Sequence, residues 1–209
     1  MRVLVACEES QAVTIEFRRL GHEAYSCDVQ ECSGGHPEWH IMADALEIIK
    51  IKWDLIIAHP PCTYLTSSSA IRLFNADHTI KDPERLEKGK DAARFFLKIW
   101  GGPCERIAIE NPTPLSIFGL PRYSQIIEPY MFGDPWRKRT CLWLKGLPPL
   151  VMTEAPMEPK GCWVESTSQN RDPLYRERYR LRGHMDQKMR SKTFPGIARA
   201  MAEQWGGQA

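Results

Sequence analysis

The run Val3-Leu4-Val5-Ala6-Cys7 constrains this chain more than any other feature. Five consecutive apolar residues without alternation are the pattern of a strand buried on both faces. Such a strand needs helices above and below it, and the following sequence supplies the alternation. Glu8 to Leu20 has apolar residues at 12, 13, 15, 17 and 20 and stops at Gly21, which predicts a helix with a glycine terminus. Glu23 to Val29 and His40 to Asp44 read as the second and third strands. Trp53 to Ala58 reads as the fourth, stopped by Pro60-Pro61. Asp82-Pro83 opens a long helix, with Asp82 as cap and Pro83 in the first turn, and Gly101-Gly102-Pro103 ends it after Trp100. Arg106 to Glu110 is the fifth strand. Repeated strand–helix–strand units predict right-handed crossovers and a mainly parallel sheet.

The second half changes character. Ile126 to Phe132 and Thr140 to Leu144 read as strands joined by the short Gly133–Arg139 link, which predicts an antiparallel pair at a sheet edge. Ile197 to Trp205 reads as a closing helix. The expected fold is therefore α/β and Rossmann-like, with a mainly parallel sheet and an antiparallel edge pair. The 209 residues make a single domain, 1–209, with 146–192 as a short irregular basic insertion.

Composition narrows the function classes. A chain that is 43% hydrophobic and 26% charged is neither disordered nor fibrous. No apolar run approaches the ~20 residues a membrane helix needs. The N-terminal MRVLVACEES reads as a buried strand rather than a secretion signal, so a cytoplasmic location without membrane contact is expected. Seven scattered cysteines with no CxxC argue for reduced thiols. Cys27, Cys32, His36 and His40 have ligand-like types, but they straddle Gly34-Gly35 and Pro37, so no metal site is expected. The net charge of +2 hides an asymmetry. Residues 160–192 hold nine Lys/Arg against four Asp/Glu, which suits a polyanionic partner. Within them, Tyr175, Arg176, Tyr179 and Arg180 interleave base-stacking and phosphate-binding side chains, making them candidate substrate contacts.

In open parallel sheets ligands bind beyond the carboxyl ends of the strands. Those ends read Ala6-Cys7-Glu8-Glu9-Ser10, Asp28-Val29, Asp44-Ala45, His59-Pro60-Pro61-Cys62 and Glu110-Asn111-Pro112. Neither a GxGxxG turn nor a Walker sequence is present, which argues against dinucleotides and nucleoside triphosphates. An acid at the end of the second strand suits ribose hydroxyls. Adenosine without a pyrophosphate points to S-adenosylmethionine, with Asp28 on the ribose and Asp44 on the adenine amino group.

The blocks HPPCTYLT, ENP, FGDPWRKRTCLWLKGLP and RSKTFPGIARAMAEQWG together resemble the cytosine-5 DNA methyltransferases, most of all their short phage-type members. The resemblance spans the chain from first strand to last helix. It implies an enzyme that methylates carbon 5 of cytosine in DNA through a covalent cysteine adduct, with S-adenosylmethionine as cofactor. Cys62 matches the family's nucleophile and Glu110 the acid that contacts the target ring. Arg137 and Arg139 match its arginine pair, although Trp136 stands where the family has Gln, and a one-residue slip would bring in Lys138. Pro61 and Asn111 would line the substrate side. Ala6, Cys7, Glu8, Ser10, Asp28, Val29, Asp44, Ala45, Pro60 and Thr193 would line the cofactor side. The chain departs from the family's Phe-x-Gly-x-Gly first motif and has only residues 146–192 in place of a full target-recognition region. Two alternatives stand beside this reading. One is a weakly active or inactive relative that binds DNA or a protein partner; the other is a methyltransferase acting on free nucleotides or RNA.

Overall fold

The structure is a computed structural model, and it describes residues 1–152, 159, 161–162 and 191–207. A seven-stranded sheet runs in the order β3-β2-β1-β4-β5-β8-β6. Its strands are β1 (Arg2–Ala6), β2 (Glu23–Asp28), β3 (His40–Met42), β4 (Leu55–Ala58), β5 (Ile107–Asn111), β6 (Gln125–Ile127) and β8 (Thr140–Lys145). The first five are parallel, and β8 is antiparallel to both β5 and β6. The expected α/β architecture with an antiparallel pair is what the chain adopts. A second, two-stranded sheet joins β7 (Trp136–Arg137) in parallel to β9 (Gly161–Cys162), a pairing that no alternation in the sequence announced.

Strand periodicity divides the apolar runs between two helical layers. Val3, Val5, Leu55 and Ile57 pack with Phe17 of α1 (Ala12–Arg19) and with Ile197, Ala198 and Met201 of α5 (Pro195–Met201). Leu4, Ala6, Ile56 and Ala58 face the other way, against Ala45 of α2 (Ala45–Ile48) and, past the short α3 (Ala70–Leu73), against Phe96 and Ile99 of α4 (Pro83–Trp100). All these strand residues are fully buried, each worth about 1.5–3 kcal/mol if large and aliphatic. Asp82 caps α4 as expected, its side chain accepting from Arg85 N at 2.9 Å, with Pro83 in the first turn.

Two elements differ from the sequence reading. The first helix begins at Ala12, not Glu8, because the Glu8 carboxylate is spent on its N-terminus. It accepts from Val13 N at 2.7 Å, Thr14 N at 3.3 Å and the Thr14 hydroxyl at 2.8 Å. Residues 126–132 are not one strand: pairing stops at Ile127, and Pro129–Phe132 forms a 3-10 turn because Pro129 lacks the donor a ladder needs. Residues 146–152 are also laced into the body. Leu150 is buried and exchanges two hydrogen bonds with the Gln125 side chain, while Pro148 O accepts from Trp205 Nε1 at 3.0 Å.

The C-terminal segment is seated by a close approach at Gly196. Its amide donates to Asp134 Oδ2 at 2.8 Å, and a Cβ there would lie 2.0 Å from the Phe132 carbonyl oxygen. That obstacle is backbone and cannot rotate away. Gly196→Ala is expected to cost about 1–3 kcal/mol by urea denaturation. It should also shift the neighbouring Thr193 away from Glu110.

Candidate active site on the strand rim

The parallel register assembles the site. Ala6 pairs with Cys27 and with Ala58, and Ala58 pairs with Ile109. One step further along each strand, Cys7, Asp28, His59 and Glu110 therefore form a row across the carboxyl edge. Because β8 is antiparallel, its first residues, not its last, reach this edge: Cys141 sits opposite Asn111. Lys138 and Arg139 arrive at the rim for that reason.

Cys62 lies in a loop held on both sides. Its half-buried side chain follows buried Pro60 and exposed Pro61, and its carbonyl accepts from Leu65 N at 3.0 Å and Thr66 N at 3.1 Å. Asn111 Nδ2 donates to Pro60 O at 3.0 Å. Ser67 N donates to Thr113 O at 2.8 Å, and Leu115 N to Leu65 O at 2.7 Å. The loop after β4 is thus bonded to the loop after β5 at three places, which fixes Cys62 relative to Glu110 and Asn111. From α4, Arg85 adds a bond to Thr63 O at 2.7 Å and stacks on Tyr64.

Glu110 is not alone on the rim. His59 Nδ1 lies 3.1 Å from Glu110 Oε2, with the two side chains 12% and 11% exposed. The Thr193 hydroxyl donates to the same oxygen at 3.3 Å. Burial pushes the Glu110 carboxyl up, but the hydrogen bond and charge of His59, the charge of Lys138 and the Thr193 hydroxyl outweigh it and hold the group at about 2. Burial pushes His59 down, yet Glu110 and Glu8 together raise it above its ordinary value against Lys138. Buried Glu8 is itself raised by burial, against the lowering influence of His59 and its three hydrogen bonds to the α1 terminus.

The arginines sit beside this cluster. Arg137 Nη1 is 3.8 Å from Glu128 Oε2, and its guanidinium lies 5.4 Å from the Tyr130 ring centre. Arg139 Nε donates to Thr113 Oγ1 at 3.3 Å. Among the described residues, the cation acting on His59 and Glu110 is Lys138, which also lies over the Phe194 ring at 5.8 Å. His59 belongs to the block after β4, but nothing in the sequence assigns it a role. Its position one residue past a fully buried strand was the available signal. Tyr175, Arg176, Tyr179 and Arg180 lie outside the described residues.

At the other half of the rim, Cys7 has φ 59°, the left-handed region that glycine normally fills, so the backbone makes the turn after β1 without glycine. Burial, Asp28, Cys27 and Asp44 all push the Cys7 thiol up, which keeps it neutral and places it among these two acids. Asp28 is half-buried and accepts from Gln30 N at 3.0 Å, and the neighbouring Val29 is 72% exposed. Asp44 is exposed and caps α2 through Leu46 N at 2.9 Å, with Ala45 buried behind it. The 33–36 loop is tied over the turn after β1: Ser33 N donates to Glu9 O at 2.7 Å, and the buried Gln11 side chain bonds both polar backbone atoms of His36. A Cβ on Gly34 would meet Ser10 O at 2.6 Å, so the two loops form one closed wall. Two carboxylates, an exposed apolar side chain and a tight backbone turn fit an adenosine-type cofactor.

His40 bonds Ser26 and Gln30, and His36 bonds Glu38. Among the described residues no group of three or more His, Cys, Asp or Glu is arranged to hold a metal ion, and no helix is long and apolar enough to cross a membrane. A groove of about 530 Å³ lined by Arg18, Arg19, His22, His36 and Trp39 contains none of the rim residues Cys7, Asp28, His59, Cys62 and Glu110.

No protein-family model and no curated protein matches the chain. Solved structures that are similar to it include two methyltransferases. One, described as a DNA modification methyltransferase encoded within a prophage, from E. coli, has 13% identity over 69% of this chain and 46% of its own, with a TM-score of 0.41. The other, the Entamoeba histolytica methyltransferase EhMeth, has 16% identity over 74% of this chain and 57% of its own, with a TM-score of 0.45. The chain therefore spans about half the length of the solved structures it matches.

Proposed function

We propose that this chain uses S-adenosylmethionine to methylate carbon 5 of cytosine in DNA through a covalent Cys62 intermediate. The observation that carries the reading is the bonded pair of loops, in which Asn111 Nδ2 on Pro60 O sets the Pro-Pro-Cys turn beside Glu110. Each of the four sequence blocks that resemble cytosine-5 DNA methyltransferases contributes to this rim: His59–Cys62, Glu110–Asn111, Lys138–Arg139 and Thr193.

The chemistry explains why these groups belong together. Carbon 5 of cytosine is a poor nucleophile until a thiolate adds at carbon 6. Cys62 supplies that sulfur, and the Pro60-Pro61 pair limits the motion of the loop that presents it. Glu110 binds ring nitrogen 3 and the amino group, orienting the ring and handling the proton that addition requires. Asp28 and Asp44 hold the ribose and adenine ends of the cofactor. Val29 and Ala45 line the base, and the Ala6–Ser10 turn lies under the amino-acid end. When bound, S-adenosylmethionine supplies an electrophilic methyl group. Arg137 and Arg139 bind the target nucleotide, and Tyr175, Arg176, Tyr179 and Arg180 contact the DNA beside it.

Nucleoside analysis of DNA incubated with protein and S-adenosylmethionine tests this assignment. The expected product is 5-methylcytosine, and methylation of an exocyclic amino group would contradict it. Asp28→Ala should weaken S-adenosylmethionine binding by about 1.5–3 kcal/mol, the worth of hydrogen bonds to a charged group, as read by calorimetry. Unchanged affinity would displace the ribose from Asp28.

A further inference from the structure

We propose that His59 is a positioning residue that stores the proton for the target ring and delivers it through Glu110. This inference rests on the methyl-transfer reading and adds a residue to it. The geometry that carries it is a buried cluster of groups. Glu110 Oε2 lies 3.1 Å from His59 Nδ1, and buried Glu8, its carboxylate anchored to the α1 terminus, acts on the same ring through its charge. His59 Nε2 is buried and has no hydrogen-bond partner among the described residues. The His59 amide is fixed to Ala6 O at 2.9 Å, so the ring hangs from a rigid strand end.

The charges facing the pair decide where the proton rests. Glu8, Glu110 and Lys138 act on His59; His59, Lys138 and the Thr193 hydroxyl act on Glu110. The carboxyl is held too acidic to carry a proton at neutral pH, whereas the imidazole is raised and can carry one. A lone Glu110 could accept hydrogen bonds from the cytosine edge but would have no proton for nitrogen 3.

The step balances as follows. The Cys62 sulfur forms a bond to carbon 6, the carbon 5–carbon 6 electron pair shifts toward carbon 4, and the carbon 4–nitrogen 3 pair moves onto nitrogen 3. The Nδ1 proton of the imidazolium passes to the Glu110 carboxylate and from there to nitrogen 3, leaving the imidazole neutral and Glu110 again ionised. When the sulfur–carbon bond later breaks, the same proton returns by the same route.

Two measurements test this. Protein labelled with ¹³C-histidine is titrated by NMR: His59 should titrate above 6.5, and Glu110→Gln should lower that value by at least one pH unit. Titration at or below 6.5 in the parent would overturn the pairing. Second, methylation kinetics are measured across pH for His59→Asn, which keeps a neutral donor for Glu110 but stores no proton. kcat should fall about 10²–10³-fold, the usual worth of a positioned proton donor, with KM changed less than threefold, and the alkaline limb of the parent profile should vanish. Parent-like kcat with the same alkaline limb would overturn the proposal. Absence of any methylated product from the parent protein would overturn the methyl-transfer reading and this role with it. The NMR titration separates that failure from a failure of the pair itself.

Discussion

Replacing Cys62 with Ser is expected to reduce methyl transfer by on the order of 10⁴-fold or more, while S-adenosylmethionine affinity changes by less than about twofold. A hydroxyl is a far weaker attacker than a thiolate, and no other step can make carbon 5 nucleophilic. The Cys62 turn is set by backbone bonds to Leu65 and Thr66 and by Asn111 on Pro60, none of which uses the sulfur. The fold and the Asp28 end of the rim should therefore persist in the variant. Radiolabelled methyl transfer, together with calorimetry of the same variant, checks both halves. Turnover within tenfold of the parent would remove Cys62 from the reaction.

Glu110→Ala is expected to destabilise the protein by about 3–5 kcal/mol, because it strips a buried, charge-bearing His59 of its 3.1 Å carboxylate partner. The pH dependence has a definite sign. The depressed Glu110 group contributes stability that is present above its ordinary 4.5 and is lost as pH falls toward about 2. The raised His59 group contributes stability that is complete below its ordinary 6.5 and is lost as pH rises through its folded value. The gap between parent and variant should therefore be widest between pH 4.5 and 6.5, and should narrow on either side. Urea denaturation of both proteins from pH 3 to 9 measures it. The double variant His59→Phe/Glu110→Leu should recover most of the loss, since an apolar pair leaves no buried charge unpaired. A flat difference across pH would mean that the two groups are not coupled.

The sheet was legible because its strands are buried on both faces, and unbroken apolar runs such as Val3–Ala6 arise only there. The rim was legible too, since carboxyl ends of parallel strands must share an edge. What the residues did not announce were contacts set by tertiary register. Glu8 looks like the first turn of a helix, yet it caps that helix from outside, because the chain turns at Cys7 in a conformation usually left to glycine. Lys138, between two arginines, looks interchangeable with them. Only the antiparallel direction of β8 and the two-residue strand β7 decide that Arg137 turns to Glu128, Arg139 to Thr113, and Lys138 to the His59–Glu110 pair. The β7–β9 pairing was hidden for a related reason: two residues on each side are too few to show a period.

The central claim is covalent attack by Cys62 on cytosine, and a mechanism-based trap reads it most directly. DNA carrying 5-fluorocytosine is incubated with the protein and S-adenosylmethionine, the complex is denatured, and the cross-linked peptide is mapped by mass spectrometry. Fluorine cannot leave carbon 5 as a proton does, so the adduct cannot resolve. The account predicts a denaturation-stable protein–DNA complex, with the linkage on Cys62 and a methyl group added to the trapped base. Methylation of ordinary cytosine DNA by the same preparation, with no stable complex on the fluorinated DNA or with the linkage on another residue, would contradict it.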